Sequence, residues 1–231
     1  MSEPTTIFLA PFRPSLAEAA TDAFPGLRVM LLDASPPSAR IDGRVWCFVD
    51  WLLPDISGIE MCRRLREAPA TAHAQITMVL DEDDAETRRR ALRAGADDYL
   101  LGPLRPVQLV ERLRQYRAGA SNGLAAARLT LGGLTVDLAA QQARWNGRPV
   151  PLRPNELRLL AHFVEHPDQV FSRTSLIAML GKDGLAIDER TVDVWIGRLR
   201  RALRGQGVPD PLRTVRSMGY VLDTFEPEGL R

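Results

Sequence analysis

Lysine is almost absent from this chain of 231 residues: of its 30 basic side chains only Lys182 is not an arginine. That bias assigns no function by itself. Cysteine is scarce too. Cys47 and Cys62 stand outside any CxxC spacing and have no histidine nearby, which argues against a disulfide or a metal site and predicts buried, reduced thiols. The three histidines, His73, His162 and His166, show no nucleophile and no ligand-set spacing; His162 and His166 stand i,i+4 on an expected helix and read as structural. No Walker or dinucleotide glycine motif occurs. No apolar run reaches the roughly 18 residues needed to cross a bilayer. The opening stretch MSEPTTIFLAPFRP lacks the basic n-region and the long apolar segment of a signal peptide. These absences predict a cytoplasmic chain with no membrane partner, no cofactor, no metal and no enzymatic activity.

What is present is concentrated in residues 188–220, DERTVDVWIGRLRRALRGQGVPDPLRTVRSMGY. On a helix at about 100° per residue, Val192, Trp195, Ile196, Leu199 and Leu203 share one arc. Arg190, Val194, Gly197, Arg201 and Arg204 take the opposite arc, with Arg198 and Arg200 on its shoulders. Between Arg190 and Arg216 seven arginines face two acids, Asp193 and Asp210. Such a helix is either a solvated face or one that meets a polyanion, and an α-helix fits the DNA major groove. The sequel favours the second reading. After a Gly/Pro loop at 205–211 comes LRTVRSMGYVLD, a short hairpin signal carrying Arg213, Thr214 and Arg216. A basic hairpin beside a basic helix is the layout of a winged helix-turn-helix.

Length allows two domains, each with its own core. In the first half, fully apolar runs (Thr6–Ala10, Arg28–Leu32, Val45–Val49, Ile76–Leu80, Tyr99–Leu101) alternate with helical patterns near 14–24, 57–67, 84–95 and 105–117. This predicts an α/β doubly wound parallel sheet with its working site at the carboxyl ends of the strands. The small residues AGASNGLAAA (118–127) read as a linker. Gly132–Gly133 and Asn146–Gly147 then punctuate a small antiparallel sheet. Helices near 155–166 and 172–180 follow, the second capped by Ser172. The expected boundaries are 1–118, a linker at 119–127, and an α+β winged helix-turn-helix at 128–226.

The run RTVDVxIxRLRxAL (Arg190–Leu203) followed by RTVRxxGY (Arg213–Tyr220) resembles the OmpR/PhoB family of response-regulator transcription factors. The resemblance implies double-stranded DNA as partner, with RNA polymerase downstream. It implies DNA contacts at Arg190, Thr191, Val194, Arg198, Arg200 and Arg201 on the helix, and at Thr214 and Arg216 in the wing. Gly197 stands where the family usually carries a basic residue, which removes one phosphate contact per subunit.

The first half resembles a receiver (CheY-like) domain through FVDWLLPDISGIEMCRRL (Phe48–Leu65), with Asp50 at the phosphoacceptor position, and through ALRAGADDYL (Ala91–Leu100). Receiver chemistry needs several carboxylates around a Mg²⁺ ion, a lysine and a Ser/Thr hydroxyl. Here Pro11 and Phe12 replace the acidic pair, Leu80 the hydroxyl, and Gly102 the lysine. Only Asp50 and the aromatic switch position Tyr99 remain, so the domain reads as atypical and independent of phosphorylation. The alternative is a conventional regulator phosphorylated on Asp50 by a histidine kinase. The acidic run Asp81–Asp84 reads as a solvated loop and helix start; the sharper alternative is that Asp81 supplies a substitute carboxylate or mimics phosphoryl charge. The resemblance further implies a homodimer through the fourth helix, fifth strand and fifth helix, with Arg88, Asp97, Asp98, Gln108 and Arg112 on that surface. A third reading makes the chain an adaptor whose winged helix binds protein; the arginine face speaks against it.

Overall fold

The computed structural model describes residues 4–33, 35–39, 41–121, 128–182, 187–209 and 212–224. The chain divides into two compact units, Met1–Gln115 and Tyr116–Arg231. In the first, β1 (Thr5–Ala10), β2 (Arg28–Leu31), β3 (Arg44–Asp50), β4 (Gln75–Leu80) and β5 (Asp98–Leu101) form one parallel sheet in the order β2-β1-β3-β4-β5. Every residue of β4 and the middle of β3 are buried, as expected for strands covered on both faces. The helices are α1 (Pro14–Ala23), α2 (Gly58–Glu67), α3 (Ala85–Ala94) and α4 (Pro106–Ser121). Capping by Ser57, whose hydroxyl accepts the Glu60 N–H, starts α2, and Asp84 caps α3 by accepting from Glu86 and Thr87.

The connection from β2 to β3 carries no helix among its described residues. The Pro36–Pro37 pair, set between Ser35 and Ser38, has no apolar periodicity to bury and removes backbone donors. The edge strand β2 is left partly bare, with Met30 and Leu31 about half exposed. Consequently α3, β5 and α4 stand where the resemblance places a fourth helix, fifth strand and fifth helix. The last helix also runs to Ser121, so residues 119–121, expected as linker, are helical. Residues 122–127 of that linker lie outside the described residues, as do 210–211 of the loop after the basic helix and 225–226 of the expected second domain.

The second unit opens with an antiparallel sheet of β6 (Arg128–Leu131), β7 (Leu134–Asp137), β8 (Gln142–Trp145) and β9 (Arg148–Val150) in sequential order. Asn146 and Gly147, both at positive φ, make the tight turn expected from their pairing. Then come α5 (Pro154–Glu165), α6 (Arg173–Met179), α7 (Arg190–Gly205) and the hairpin of β10 (Leu212–Val215) and β11 (Gly219–Leu222). One core joins Leu157, Leu160 and Phe163 of α5 to Trp195, Ile196 and Leu199 of α7 and Leu212 of the hairpin. This is a receiver-type sheet followed by a winged helix, the predicted fold class. Among the described residues no helix is long and apolar enough to cross a membrane.

Candidate functional site

Two places concentrate chemistry, and each lies within one unit. The first is the carboxyl end of the parallel sheet. Asp50 closes β3, and the chain turns back so tightly that a Cβ on Gly58 would come within 2.1 Å of the Asp50 carbonyl oxygen, leaving room for glycine alone. The Asp50 carboxylate is bound by Arg13, whose Nη2 donates to its Oδ2. The other terminal nitrogen of Arg13 donates to the Leu104 carbonyl at 3.1 Å, just beyond Gly102 and Pro103. A single guanidinium thus spans the acceptor carboxylate and the loop after β5. Burial raises the Asp50 carboxyl above its ordinary value; Arg13 pulls it back down, and Asp81 adds a further upward push.

Pro11, Phe12, Leu80 and Gly102 lie at or just past the carboxyl ends of their strands. Pro11 and Phe12 follow β1 and offer no carboxylate, and Leu80 ends β4 with an apolar, buried side chain. Gly102 follows β5, and a Cβ there would meet the Val79 side chain at 2.9 Å. Tyr99 is buried, with Arg88 stacked over its ring at 5.8 Å. These residues do not fit a divalent ion at Asp50: a fixed cation already neutralises the carboxylate, and Pro11 and Phe12 supply no second acid. Asp81 is exposed. Sequence reasoning missed Arg13. The signal was an arginine three residues past the strand end, just beyond the two positions where acids were sought.

The expected dimer residues are mostly turned inward. Asp97 and Asp98 are 1% and 0% exposed and Arg112 is 7% exposed, so they are not surface charges in this chain. Asp97 accepts from Arg66 at 2.5 Å and from the Ile76 N–H at 2.8 Å. Arg112 donates to Asp98 at 3.2 Å and to the Tyr99 carbonyl at 3.0 Å. Gln108 accepts the Arg105 N–H at the start of α4, and Arg88 pairs with Asp83 in the same chain. The physical reason is burial: Asp98 at the start of β5 and Asp97 just before it are shielded from water, so each needs an internal cation. On the same elements Leu101 of β5 and Val107 of α4 are exposed apolar side chains, standing among exposed polar and charged ones such as Arg89, Gln108, Glu111 and Arg114.

The second place is α7 with its hairpin. Val192, Trp195, Ile196, Leu199 and Leu203 are each at most 1% exposed, as the helical pattern predicted. Arg190, Arg201, Thr214 and Arg216 are exposed, and Val194 and Arg198 are half-buried. Two expected contacts stand differently. Thr191 is 1% exposed, at the edge of the apolar arc near the start of the helix, so its side chain does not face out. Arg200 is committed internally: it donates to the Leu212 carbonyl and to Thr214 Oγ1, both at 2.9 Å, and stacks over Tyr220 at 5.6 Å. It braces the hairpin against the helix. Tyr220 donates to Asp193 at 2.6 Å, and Arg173 of α6 donates to both. This second brace also escaped sequence reasoning, because its partners lie 20 to 47 residues apart. Gly219 precedes Tyr220 at φ +141°, and a Cβ there would lie 1.9 Å from the Phe171 carbonyl oxygen. Phe171 and Tyr220 exchange two backbone hydrogen bonds of 2.8 and 2.9 Å.

Comparison with known proteins agrees with both halves. Residues 44–114 match the response regulator receiver domain family, and residues 147–222 match the family described as transcriptional regulatory protein, C terminal. The phosphate regulon transcriptional regulatory protein PhoB of Rhizobium meliloti (strain 1021) is 39% identical over 176 residues, 76% of this chain and 78% of that protein. The transcriptional regulatory protein PrrA of Mycobacterium tuberculosis is 35% identical over 176 residues, 75% of each chain. A solved structure of a RitR mutant superposes with a TM-score of 0.65 at 20% identity, covering 96% of this chain and 99% of that one, a likeness of fold.

Proposed function

The chain belongs to the OmpR/PhoB family of response regulators, and from that premise we propose a sequence-specific regulator of transcription whose receiver works without phosphorylation. The observation that carries this reading is Arg13 on Asp50. An incoming phosphoryl group needs a free carboxylate oxygen as nucleophile and a metal to neutralise its charge. Arg13 holds that carboxylate and takes the cation's place, and Pro11 and Phe12 stand where metal-binding acids would be needed. Its second bond, to Leu104, ties the pocket to the loop before α4, so the position of that loop depends on an arginine present in every copy of the protein.

In the second unit, double-stranded DNA meets the outer arc of α7 through Arg190, Val194, Arg198 and Arg201 and meets the wing through Thr214 and Arg216. Arg200 keeps the wing aimed. A homodimer presenting two such faces supplies specificity through half-sites about one helical turn apart. With Asp97, Asp98 and Arg112 engaged inside the chain, pairing through α3, β5 and α4 rests on Leu101 and Val107 more than on ion pairs. RNA polymerase is the downstream partner, and no histidine kinase is required.

The test is an affinity titration of the full chain against genomic fragments that it selects, with and without Mg²⁺ and acetyl phosphate. Specific binding with the same Kd in both conditions is the expected result. Binding that tightens with the donor, together with acyl phosphate on Asp50, would restore the conventional reading.

A further inference from the structure

The last turn of α5 reads His162-Phe163-Val164-Glu165-His166. Positions i, i+3 and i+4 share one helix face, and here they bring two imidazoles and a carboxylate together. One ligand atom from each of His162, Glu165 and His166 lies within 4.8 Å of the others. Glu165 Oε2 is 3.5 Å from His166 Nε2, and the two imidazole rings are 4.9 Å apart, edge to face. Read from sequence, the histidine pair lacked a third ligand. The structure supplies it.

We propose that His162, Glu165 and His166 bind a divalent transition-metal ion of the zinc type, with water in the remaining position. Three N and O ligands with an open fourth place are an established zinc arrangement. Bonds of about 2.0–2.2 Å put tetrahedral ligand atoms roughly 3.3 Å apart, so small side-chain rotations close the site. Two features favour a cation at this spot. The carboxyl end of a helix carries the negative end of its dipole, and α5 ends at Glu165. His162 is also held in place before any ion arrives, because its ring packs on Phe171 at 4.4 Å.

The position gives the ion a mechanical role. Phe171 contacts both histidine rings and pairs by backbone with Tyr220, whose hydroxyl reaches Asp193 on α7. An ion that fixes His162 and His166 stiffens the joint between α5 and the hairpin. None of the residues assigned to DNA is consumed.

The experiment uses the full chain, freed of metal by a chelator, and Zn²⁺ or Co²⁺ alone as probe. Calorimetry and the visible absorption of Co²⁺ read binding, and thermal melts read linkage. One ion per chain is expected, with a higher Tm in its presence. His166→Asn and Glu165→Gln change exposed side chains and leave the core intact. Each should weaken binding about tenfold or more, a loss already seen when mere outer-shell partners of metal ligands are removed, and each should abolish the Tm shift. Absence of stoichiometric binding by the unmodified chain would overturn the proposal. So would binding that both variants retain unchanged, which would place the ion elsewhere.

Discussion

Arg66 shows how much one side chain carries. It donates to the carbonyls of Ala72, Ala74 and Gly95 at 2.6–3.0 Å and to the Asp97 carboxylate, joining α2 to the ends of β4 and α3. Removing one partner of a buried pair strands the other charge, so Arg66→Ala is expected to cost about 3–5 kcal/mol in chemical denaturation. None of this was legible from sequence, where Asp97 read as a surface acid and its cation lay 31 residues away. Departures from a pattern are easier to read than new contacts: Pro11, Phe12, Leu80 and Gly102 could be set against the receiver pattern in the sequence alone, while Arg13 became visible only once the fold had brought it to Asp50. Tyr220 offers a pH test. Burial first, then its bond to Asp193, raises its phenol from 10.0 to about 12. A raised folded value means stability that is complete below pH 10 and is lost as pH climbs through the interval to about 12. Tyr220→Phe should remove that slope and also the late-ionising component of the tyrosinate absorbance.

At the level of elements, the parallel strands were readable because fully apolar runs suit only a sheet covered on both sides, and α7 because its apolar arc repeats at helical spacing. The bracing of the wing was not, since Arg200 has the same sequence signature as a DNA-facing arginine. The two roles separate by mutation. Arg200→Ala is expected to lower stability by about 1–2 kcal/mol through two lost hydrogen bonds and to weaken DNA binding with it. Arg201→Ala should weaken binding while leaving the melt unchanged. Gly197 supplies the converse. A Cβ there meets no atom within 4 Å, so Gly197→Ala should stabilise the helix by about 0.5–1 kcal/mol. Urea denaturation decides both.

For the whole molecule, a net charge of +1 conceals an arginine-rich patch around α7 and the wing. DNA affinity should therefore fall steeply with salt although the protein is no general polycation. Arg201→Ala and Arg216→Ala should each flatten the slope of log affinity against log salt by about 0.9. The bond between Arg13 and Asp50 has a consequence in time. An acyl phosphate is made and hydrolysed, so a regulator that depends on one can be reset while the molecule persists. A guanidinium written into the chain has no such half-life. If, as proposed, no phosphoryl signal is used, the speed of the response becomes the speed of synthesis, dilution and proteolysis, and the history of a cell is held in how many copies it inherited.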